Sequence, residues 1–291
     1  MIVDVHTHTP SHRDAVPEGE QVVNSAWRPD RAVLASTTWA DHDRAQREAG
    51  VDVSLVFNIA TRTAGGAGVV VDLARVNDST AEFVRDDPAR RIGFCSVDPE
   101  HPGVMNELER SRTELGLRGI KLGPNYQDFE PLGEPAKRVY GYAERHGWPI
   151  LFHQGTSPIR SAPLRYAHPI VMDEIAIAFP ELRIVMAHLG HPWQIDTIAV
   201  IRKHPHVYAD VSAGFYRPWS FWSAMRLATE WNVLPKLLLG SDFPVATAQE
   251  TIDGLRTINA PIAGTGMPRV PEDAMEAIIH RDALALLGLT G

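Results

Sequence analysis

The sequence predicts an α/β fold, a single-domain (β/α)8 TIM barrel with long loops on its catalytic face. Eight short apolar runs, rich in β-branched residues, alternate with amphipathic segments along the chain. Near-continuous apolar runs are typical of parallel strands that are covered on both faces, and eight such strands are what a closed barrel needs. The alternative is an open doubly wound sheet, but no G-x-G-x-x-G follows the first run and the sequence contains no P-loop.

The apolar runs and the helical periodicity between them define the predicted elements. The predicted strands are residues 1–6, 51–59, 91–97, 117–123, 149–154, 182–188, 206–212 and 236–242. The 3.6-residue periodicity predicts helices over residues 40–50, 103–116, 134–147 and 192–205, and a final helix over residues 271–289. Several of these segments close with Gly, which is the usual helix stop.

Two long stretches without periodicity, residues 9–38 and 155–170, interrupt this alternation. Each follows the C-terminal end of a predicted strand, so in a barrel both lie on the catalytic face, where long loops are usually functional. No linker and no internal repeat divides the chain. We therefore expect one domain over residues 1–291.

The composition argues against several classes of protein. The net charge is −8, from 36 acidic and 28 basic residues, and no Lys/Arg block stands out, so nucleic-acid binding is not expected. The single cysteine, Cys95, cannot form an intramolecular disulfide and is expected to be a buried apolar residue on a strand. No apolar run is long enough to span a bilayer, and the N-terminus lacks the pattern of a secretory signal. We expect a cytoplasmic protein without a membrane partner.

Histidine and aspartate recur where the predicted strands end. The first strand ends in "HTH", and because His6 and His8 lie at i and i+2 they point to the same face. His153, His188 and Asp242 end strands five, six and eight. In a barrel these ends surround one mouth, and imidazole with carboxylate suits zinc or another divalent ion such as manganese, iron or cobalt. One such histidine alone is usually structural, but five matching positions together predict a metal site.

The segments "DVHTH", "RGIKLGP", "ILFHQG", "VMAHLGHPW" and "LLGSDFP" occur in this order. Together they closely resemble the amidohydrolase superfamily and, more narrowly, its amidohydrolase-2 group, which is related to aminocarboxymuconate-semialdehyde decarboxylase. The resemblance covers essentially the whole chain, including the terminal "IIHRDALALLGL", where Asp282 stands in the place of the family's usual Asn. The combination of motifs is specific for the superfamily but does not identify the reaction.

This resemblance implies roles for the strand-end residues. It assigns His6, His8, His153 and Asp242 as ligands of one divalent metal ion, usually zinc, and it places His188 beside the site as a base or electrostatic stabiliser. A catalytic metal ion leaves a position for water and lowers the pKa of that water to about 7. Asp242 would take a proton from the water, and His188, if it titrates near neutrality, would orient the water or protonate a leaving group.

Lys121, at the end of the fourth predicted strand, allows a second arrangement. In binuclear members of the superfamily a carboxylated lysine on this strand bridges two metal ions, and the histidine of strand six joins the second ion. The amidohydrolase-2 group mostly resembles the mononuclear plan, so we expect one ion, with Lys121 as a cationic anchor for a substrate oxyanion or carboxylate. A purely structural ion pair is the alternative for Lys121. Asp4 is expected to accept a hydrogen bond that orients a ligand or Lys121, and His191 is expected at the rim.

The loops after the strands indicate the kind of substrate. "FYRPWSFW" follows strand seven, Arg160 follows strand five, and Arg62 follows strand two. Aromatic walls with a few arginines suit a flat or cyclic substrate that carries a carboxylate. Many of these aromatic residues are expected to pack a helix onto the barrel instead. Tyr216 and Arg160 are the predicted substrate-binding residues.

Two reactions remain open from the sequence. The preferred prediction is a hydrolase that attacks a lactone, amide or ester with activated water. The alternative is a non-oxidative, metal-dependent decarboxylase, while a hydratase or a barrel that binds a metal ion or a carboxylate without catalysis is less favoured. A small-molecule carboxylate is the expected partner. A homo-oligomer is possible, since related barrels pair through their surfaces.

Overall fold

The computed structural model of the chain describes residues 1–61 and 71–290, and these residues form a barrel of eight parallel strands. We number its strands in chain order: β1 Val3–His8, β2 Val53–Phe57, β3 Arg91–Gly93 with its continuation Cys95–Ser96, β4 Ile120–Leu122, β5 Ile150–Phe152, β6 Ile184–Met186, β7 Val207–Asp210 and β8 Leu237–Leu238. Each strand pairs in parallel with the next one in sequence.

Helices separate the strands and cover the outside of the barrel. In chain order they are α1 Trp39–Glu48, α2 Leu73–Asp86, α3 Val104–Thr113, α4 Pro124–Gln127, α5 Glu134–Arg145, α6 Val171–Ala178, α7 Gln194–Lys203, α8 Pro218–Glu230, α9 Ala248–Arg256, α10 Glu272–Ile279 and α11 Ala283–Leu287. Across the described part of the chain, no helix has the length and apolar character that crossing a bilayer requires.

Backbone hydrogen bonds close the barrel between its last and first strands. The amide of Val5 donates to the carbonyl of Leu239 at 3.0 Å, that of Asp242 donates to His6 at 2.8 Å, and that of His8 donates to Phe243 at 2.9 Å. Such closure removes both sheet edges and excludes the open doubly wound sheet. The predicted (β/α)8 barrel is therefore confirmed.

The alternation of side chains along each strand divides the core into two layers. Leu151 of β5 faces the barrel interior, where it packs with Val5, Phe57 and Val185. Its neighbours in sequence, such as Ile150, face outward to the helices. This two-residue period is the reason why the strands appear in the sequence as continuous apolar runs.

The elements differ from their predicted bounds at two informative places. The third strand is interrupted at Phe94, whose amide donates to Val56 of β2 while the next amide, of Cys95, donates to Gly119 before β4. The predicted final helix is split into α10 and α11, because the Asp282 carboxylate accepts a hydrogen bond from the amide of Ala285 and so starts a new helix. The departure at Asp282 thus serves as a helix cap.

Candidate active site

The C-terminal ends of the strands gather the predicted histidines and aspartate at one mouth of the barrel. Among the residues that the structure describes, one group has the compactness of a metal site: a nitrogen of His6, a nitrogen of His188 and a carboxylate oxygen of Asp242 all lie within 4.8 Å of one another. Nε2 of His6 and Nε2 of His8 each lie 3.3 Å from Oδ1 of Asp242. Three of the five residues therefore form one compact group, and His8 adjoins it through Asp242.

His153 occupies the same mouth in a different orientation. Its ring lies 5.2 Å from the ring of His188, centroid to centroid, and 4.5 Å from that of Tyr126. Its Nε2 lies 3.3 Å from the carbonyl oxygen of Thr156. Burial lowers the pKa of His153 well below its ordinary value, so its ring is neutral and able to act as a ligand. Binding a shared ion through Nε2 requires this nitrogen to leave Thr156.

Asp210, at the end of β7, is a buried carboxylate that the sequence reasoning missed. Its Oδ2 lies 2.8 Å from Nδ1 of His6, and its Oδ1 accepts hydrogen bonds from the amides of His188 and Ser212 at 3.1 and 3.0 Å. The hydroxyl of Ser212 donates to the same oxygen. Although burial raises the pKa of Asp210, His6 and the hydrogen bonds lower it below its ordinary value, so the carboxylate is ionised.

This carboxylate determines the tautomers of two histidines. His6 donates Nδ1–H to Asp210, so in the neutral ring the lone pair of Nε2 is directed to the centre of the site, where Nζ of Lys121 lies 3.4 Å away. The hydroxyl proton of Ser212 is used on Asp210, so the oxygen of Ser212 accepts Nδ1–H from His188 at 2.8 Å. Both rings therefore present Nε2 as an acceptor or ligand atom. A carboxylate that orients histidines in this way is typical of metal sites.

The backbone holds His188 and Asp242 in unusual conformations. Both lie in the left-handed region, with φ of 58° and 65°, as does Leu189 with φ of 47°. Non-glycine residues with this conformation each cost about 1–3 kcal/mol and cluster at functional sites. The hydrogen bond from the Asp242 amide to His6 and that from the His188 amide to Asp210 help to hold them there.

The electrostatics differ between the two predicted catalytic residues. Burial raises the pKa of Asp242, but His188, His6 and His8 lower it by more than burial raises it. The pKa is therefore well below its ordinary value, and the carboxylate is ionised. Burial lowers the pKa of His188 to about 4. The sequence suggests a His188 whose pKa lies near neutrality. In the structure the pKa is lower, so the buried ring is neutral at pH 7. A neutral imidazole suits a base or a ligand rather than an acid.

Lys121 lies at the floor of the site with no exposed surface. Its Nζ is 3.4 Å from Nε2 of His6 and 4.5 Å from the ring centroid of Phe57. Burial lowers its pKa to about 8, against the opposing effect of Asp210 and Asp242. The charge of the expected anchor thus lies beside His6, at the floor of the site.

Asp4 lies deeper on β1 and has a structural role. It accepts hydrogen bonds from the amides of His6 and Ser241 and from the side chain of Gln46. It therefore holds the ends of β1 and β8 together, which fixes His6 relative to Asp242. The expected contact with a metal-site residue is present through the His6 amide.

A cavity of about 510 Å³ opens above these residues. His8, Lys121, His153, His188 and Asp242 all line it. The loop over residues 9–38 and the segment over residues 155–170 supply part of its wall, including Trp27, Thr37, Thr156 and Ile159. Both long loops thus lie on the catalytic face, as predicted.

The predicted substrate-binding residues have different positions. Tyr216 lines the cavity, and the guanidinium groups of Arg28 and Arg217 contact its ring, at 4.8 and 4.7 Å from its centroid. Arg160 is exposed and is not part of the cavity wall. Arg217, which the sequence reasoning did not select, is part of it. Arg62 lies outside the described residues.

These side chains fit a divalent metal ion. The site combines the imidazoles of His6 and His188, whose Nδ1 atoms are engaged, and the neutral ring of His153 with the ionised carboxylate of Asp242. Nitrogen and oxygen donors of this kind suit zinc and manganese, and a catalytic site needs three or more of them around an open position. The cavity above the site provides access to that position.

A closed (β/α)8 barrel with such residues at its C-terminal mouth defines an amidohydrolase-type enzyme. The profile of the amidohydrolase family (Amidohydro_2) matches residues 3–289. The chain therefore belongs to the amidohydrolase family, whose members are metal-dependent hydrolases or decarboxylases. The resemblance seen in the motifs is thereby confirmed.

Individual relatives are more distant. A dihydroorotase of Helicobacter pylori (strain G27) is 29% identical over 116 residues, which are 38% of this chain and 33% of the dihydroorotase. The chain thus matches about a third of that relative's length.

Two solved structures share the fold over nearly their whole lengths. A probable 2-pyrone-4,6-dicarboxylic acid hydrolase of Acinetobacter baumannii, with citric acid bound, is 16% identical with a TM-score of 0.65, over 99% of both chains. A dihydroxybenzoic acid decarboxylase of Polaromonas sp. JS666, with bound manganese and the inhibitor 2-nitroresorcinol, is 16% identical with a TM-score of 0.66, over 99% of this chain and 97% of its own.

Proposed function

We propose that the protein is a metal-dependent hydrolase that opens a lactone, amide or ester of a small, cyclic or aromatic carboxylate. The observation that carries this proposal is the convergence of His6, His188 and Asp242 at the mouth of the closed barrel, under a cavity of about 510 Å³. We also propose that residues 1–291 act as one domain.

The proposed ligands of the ion are His6, His8, His153 and Asp242, and zinc is the proposed metal, with manganese, iron and cobalt as alternatives. When bound, a divalent ion supplies Lewis acidity, which polarises a carbonyl group and lowers the pKa of water to about 7. Asp210 accepts the Nδ1 proton of His6, so that Nε2 is the nitrogen that would bind the ion, once it gives up its contact with Nζ of Lys121 at 3.4 Å. Asp242 and His8 already approach each other to 3.3 Å.

Asp242 and His188 are the proposed catalytic residues. Asp242 is ionised and lies at the cavity wall, so it is able to accept the proton of the attacking water. His188 presents an unprotonated Nε2 to the same space, because its Nδ1–H is directed to Ser212. It would orient the water, and it would pass a proton to the leaving group only after it has received one.

Lys121 and Tyr216 are the proposed substrate-contacting or substrate-stabilising residues. The Lys121 charge at the floor favours negative charge that develops on a substrate oxygen above it. Tyr216 lines the cavity, and the two arginines that contact its ring hold it in place. The alternative role of Lys121, a carboxylated bridge between two ions, requires a neutral amine, and its lowered pKa of about 8 makes that form more accessible than in an exposed lysine.

A decarboxylase is the second candidate, and the fold shared with the dihydroxybenzoic acid decarboxylase supports it. Decarboxylation of such an acid requires a group that delivers a proton to carbon. Burial lowers the pKa of His188, so its ring holds no proton for carbon in the resting site and would first have to receive one. Arg160 keeps its predicted role only if its exposed side chain folds over the cavity when substrate binds.

Parallel assays distinguish the two reactions. We would supply metal-replete protein with 2-pyrone-4,6-dicarboxylate and dihydroorotate as hydrolysis substrates, and with 2,6-dihydroxybenzoate as a decarboxylation substrate. Ring opening of the lactone or the cyclic amide, without release of CO2 from the benzoate, is the expected result. Release of CO2 without ring opening would replace the hydrolase proposal by the decarboxylase. The Asp242→Asn variant is the control and should lose either activity.

A further inference from the structure

Arg217 is a cation on the cavity wall without an anionic partner. Its guanidinium donates to the carbonyl oxygen of Ala213 at 3.3 Å and lies against the ring of Tyr216. Throughout residues 1–61 and 71–290, no carboxylate lies within ion-pairing distance of it. Since a guanidinium has five N–H groups, most of its donors are available to a ligand.

Arg28, the second cation that contacts the same tyrosine ring, provides the contrast. It is buried and pairs with Asp30 at 2.6 Å and with Glu250 at 3.0 Å. Its charge is therefore neutralised within the protein, and it holds Tyr216 in place. Of the two cations that contact this ring, Arg217 alone both lines the cavity and lacks a carboxylate in the described residues.

His191 lines the same cavity, and two helices fix its ring. Nε2 of Gln194, in the first turn of α7, donates to Nδ1 of His191 at 2.9 Å and to the hydroxyl of Ser220, in the first turn of α8, at 3.1 Å. Because Nδ1 accepts a hydrogen bond, the neutral ring carries its proton on Nε2. Nδ1 of His191 also lies 3.5 Å from the hydroxyl of Ser220, and Arg217 is the residue directly before the helix that holds this serine, so both side chains stand at the start of α8. Burial and then the charge of Arg217 lower the pKa of His191 to about 4.

The two residues thus offer donors, and no acceptor, at one place on the wall. We propose that Arg217 and His191 form an anion subsite that binds a carboxylate of the substrate, away from the metal ligands. This inference rests on the proposed function and specifies its substrate: a ring compound with one group at the metal ligands and a carboxylate at Arg217. It moves the carboxylate anchor from Arg160, which the sequence suggested, to Arg217.

Two probes test the subsite without knowledge of the substrate. Isophthalate carries two carboxylates and benzoate carries one, so the ratio of their dissociation constants measures the gain from the second carboxylate. We would measure both constants by calorimetry on metal-replete protein. For the wild type we expect isophthalate to bind at least about tenfold more tightly, the range of a charge-assisted contact.

Variants show which residues produce the tighter binding of isophthalate relative to benzoate. Arg217→Met should abolish it, Arg217→Lys should retain part of it because the charge remains without the fork, and His191→Phe should reduce it by about three- to tenfold. Arg165→Met is the matched control, because Arg165 is exposed and lies off the wall. If the gain is absent in the wild type or survives in Arg217→Met, the subsite proposal is wrong. If Arg160→Met abolishes it instead, Arg160 is the anchor.

The same samples separate this inference from the proposed function. Metal content and hydrolysis report on the metal site, whereas the isophthalate-to-benzoate ratio reports on Arg217 and His191. A protein that binds no metal and hydrolyses nothing, but shows the ratio and its loss in Arg217→Met, would contradict the function and support the subsite. The reverse pattern would contradict the subsite alone.

Discussion

Nδ1 of His6 lies 2.8 Å from Oδ2 of Asp210. Through this contact a carboxylate of β7 fixes the orientation and the tautomer of a histidine of β1. The other oxygen of Asp210 accepts a hydrogen bond from the hydroxyl of Ser212. The oxygen of Ser212 in turn contacts Nδ1 of His188, which lies in the loop after β6. One buried aspartate therefore orients two of the residues that converge at the mouth of the barrel. Its replacement is the most informative change outside the proposed ligands.

Asp210→Asn should weaken metal binding by about 10- to 100-fold while the protein stays folded. An amide nitrogen of Asn in the place of Oδ2 cannot accept the hydrogen bond from Nδ1 of His6. The Nδ1 proton then loses its partner, and the proton of the neutral ring is shared between Nδ1 and Nε2. A competition titration against a fluorescent chelator measures the affinity. Asp43→Asn is the matched control, since Asp43 pairs with Arg91 and has no part in the site. Equal metal affinity in Asp210→Asn and wild type would rule out this role.

The histidines of β5 and β6 should differ in what their removal does. His188→Ala is expected to keep about one metal ion per chain and to lose turnover, because His188 is a proposed base. His153→Ala is expected to lose the metal ion. Elemental analysis and activity on the same preparations give the answer. The opposite pattern would mean that His6, His188 and Asp242, which already lie within 4.8 Å of one another, are the ligands.

Lys121→Met should stabilise the metal-free protein at neutral pH and reduce activity. The pKa of Lys121 falls from 10.5 to about 8 on burial, so the folded state binds the proton less tightly than the unfolded state. The charged lysine thus lowers the free energy of unfolding by up to about 3 kcal/mol below pH 8. This penalty shrinks as the pH rises from 8 to 10.5.

Urea unfolding of both proteins at several pH values checks this expectation. The gain of Lys121→Met should be largest near pH 7 and should decline toward pH 10. A variant that is less stable than the wild type at pH 7 would show that Lys121 is paired well enough with Asp210 and Asp242 to offset its burial.

Much of the fold and most of the strand-end residues of the site follow from local sequence patterns. The eight apolar runs gave the barrel, since a strand buried on both faces must be apolar at every position. The sequence predicts His6, His8, His153, His188 and Asp242 because each lies at the end of a predicted strand. Asp210 satisfies the same criterion, as a charged residue within the apolar run "VYADVS", so the available signal was overlooked.

The substrate residues could not be predicted in the same way. The loop after β5 begins at Gly155, with φ of +100°, where a Cβ atom would lie 2.2 Å from the carbonyl oxygen of His191. The path of this loop, and with it the exposure of Arg160, depends on packing against a loop nearly forty residues later in the chain. Contacts of that range leave no local pattern, which is why Arg160 rather than Arg217 was selected.

The most direct test of the proposed metal site is the metal content of the purified protein, measured by elemental analysis beside Asp242→Ala. We expect about one divalent ion per chain in the wild type and almost none in the variant. About two ions per wild-type chain would support the carboxylated Lys121 bridge. No metal in the wild type after expression in metal-replete medium would contradict the metal-dependent mechanism.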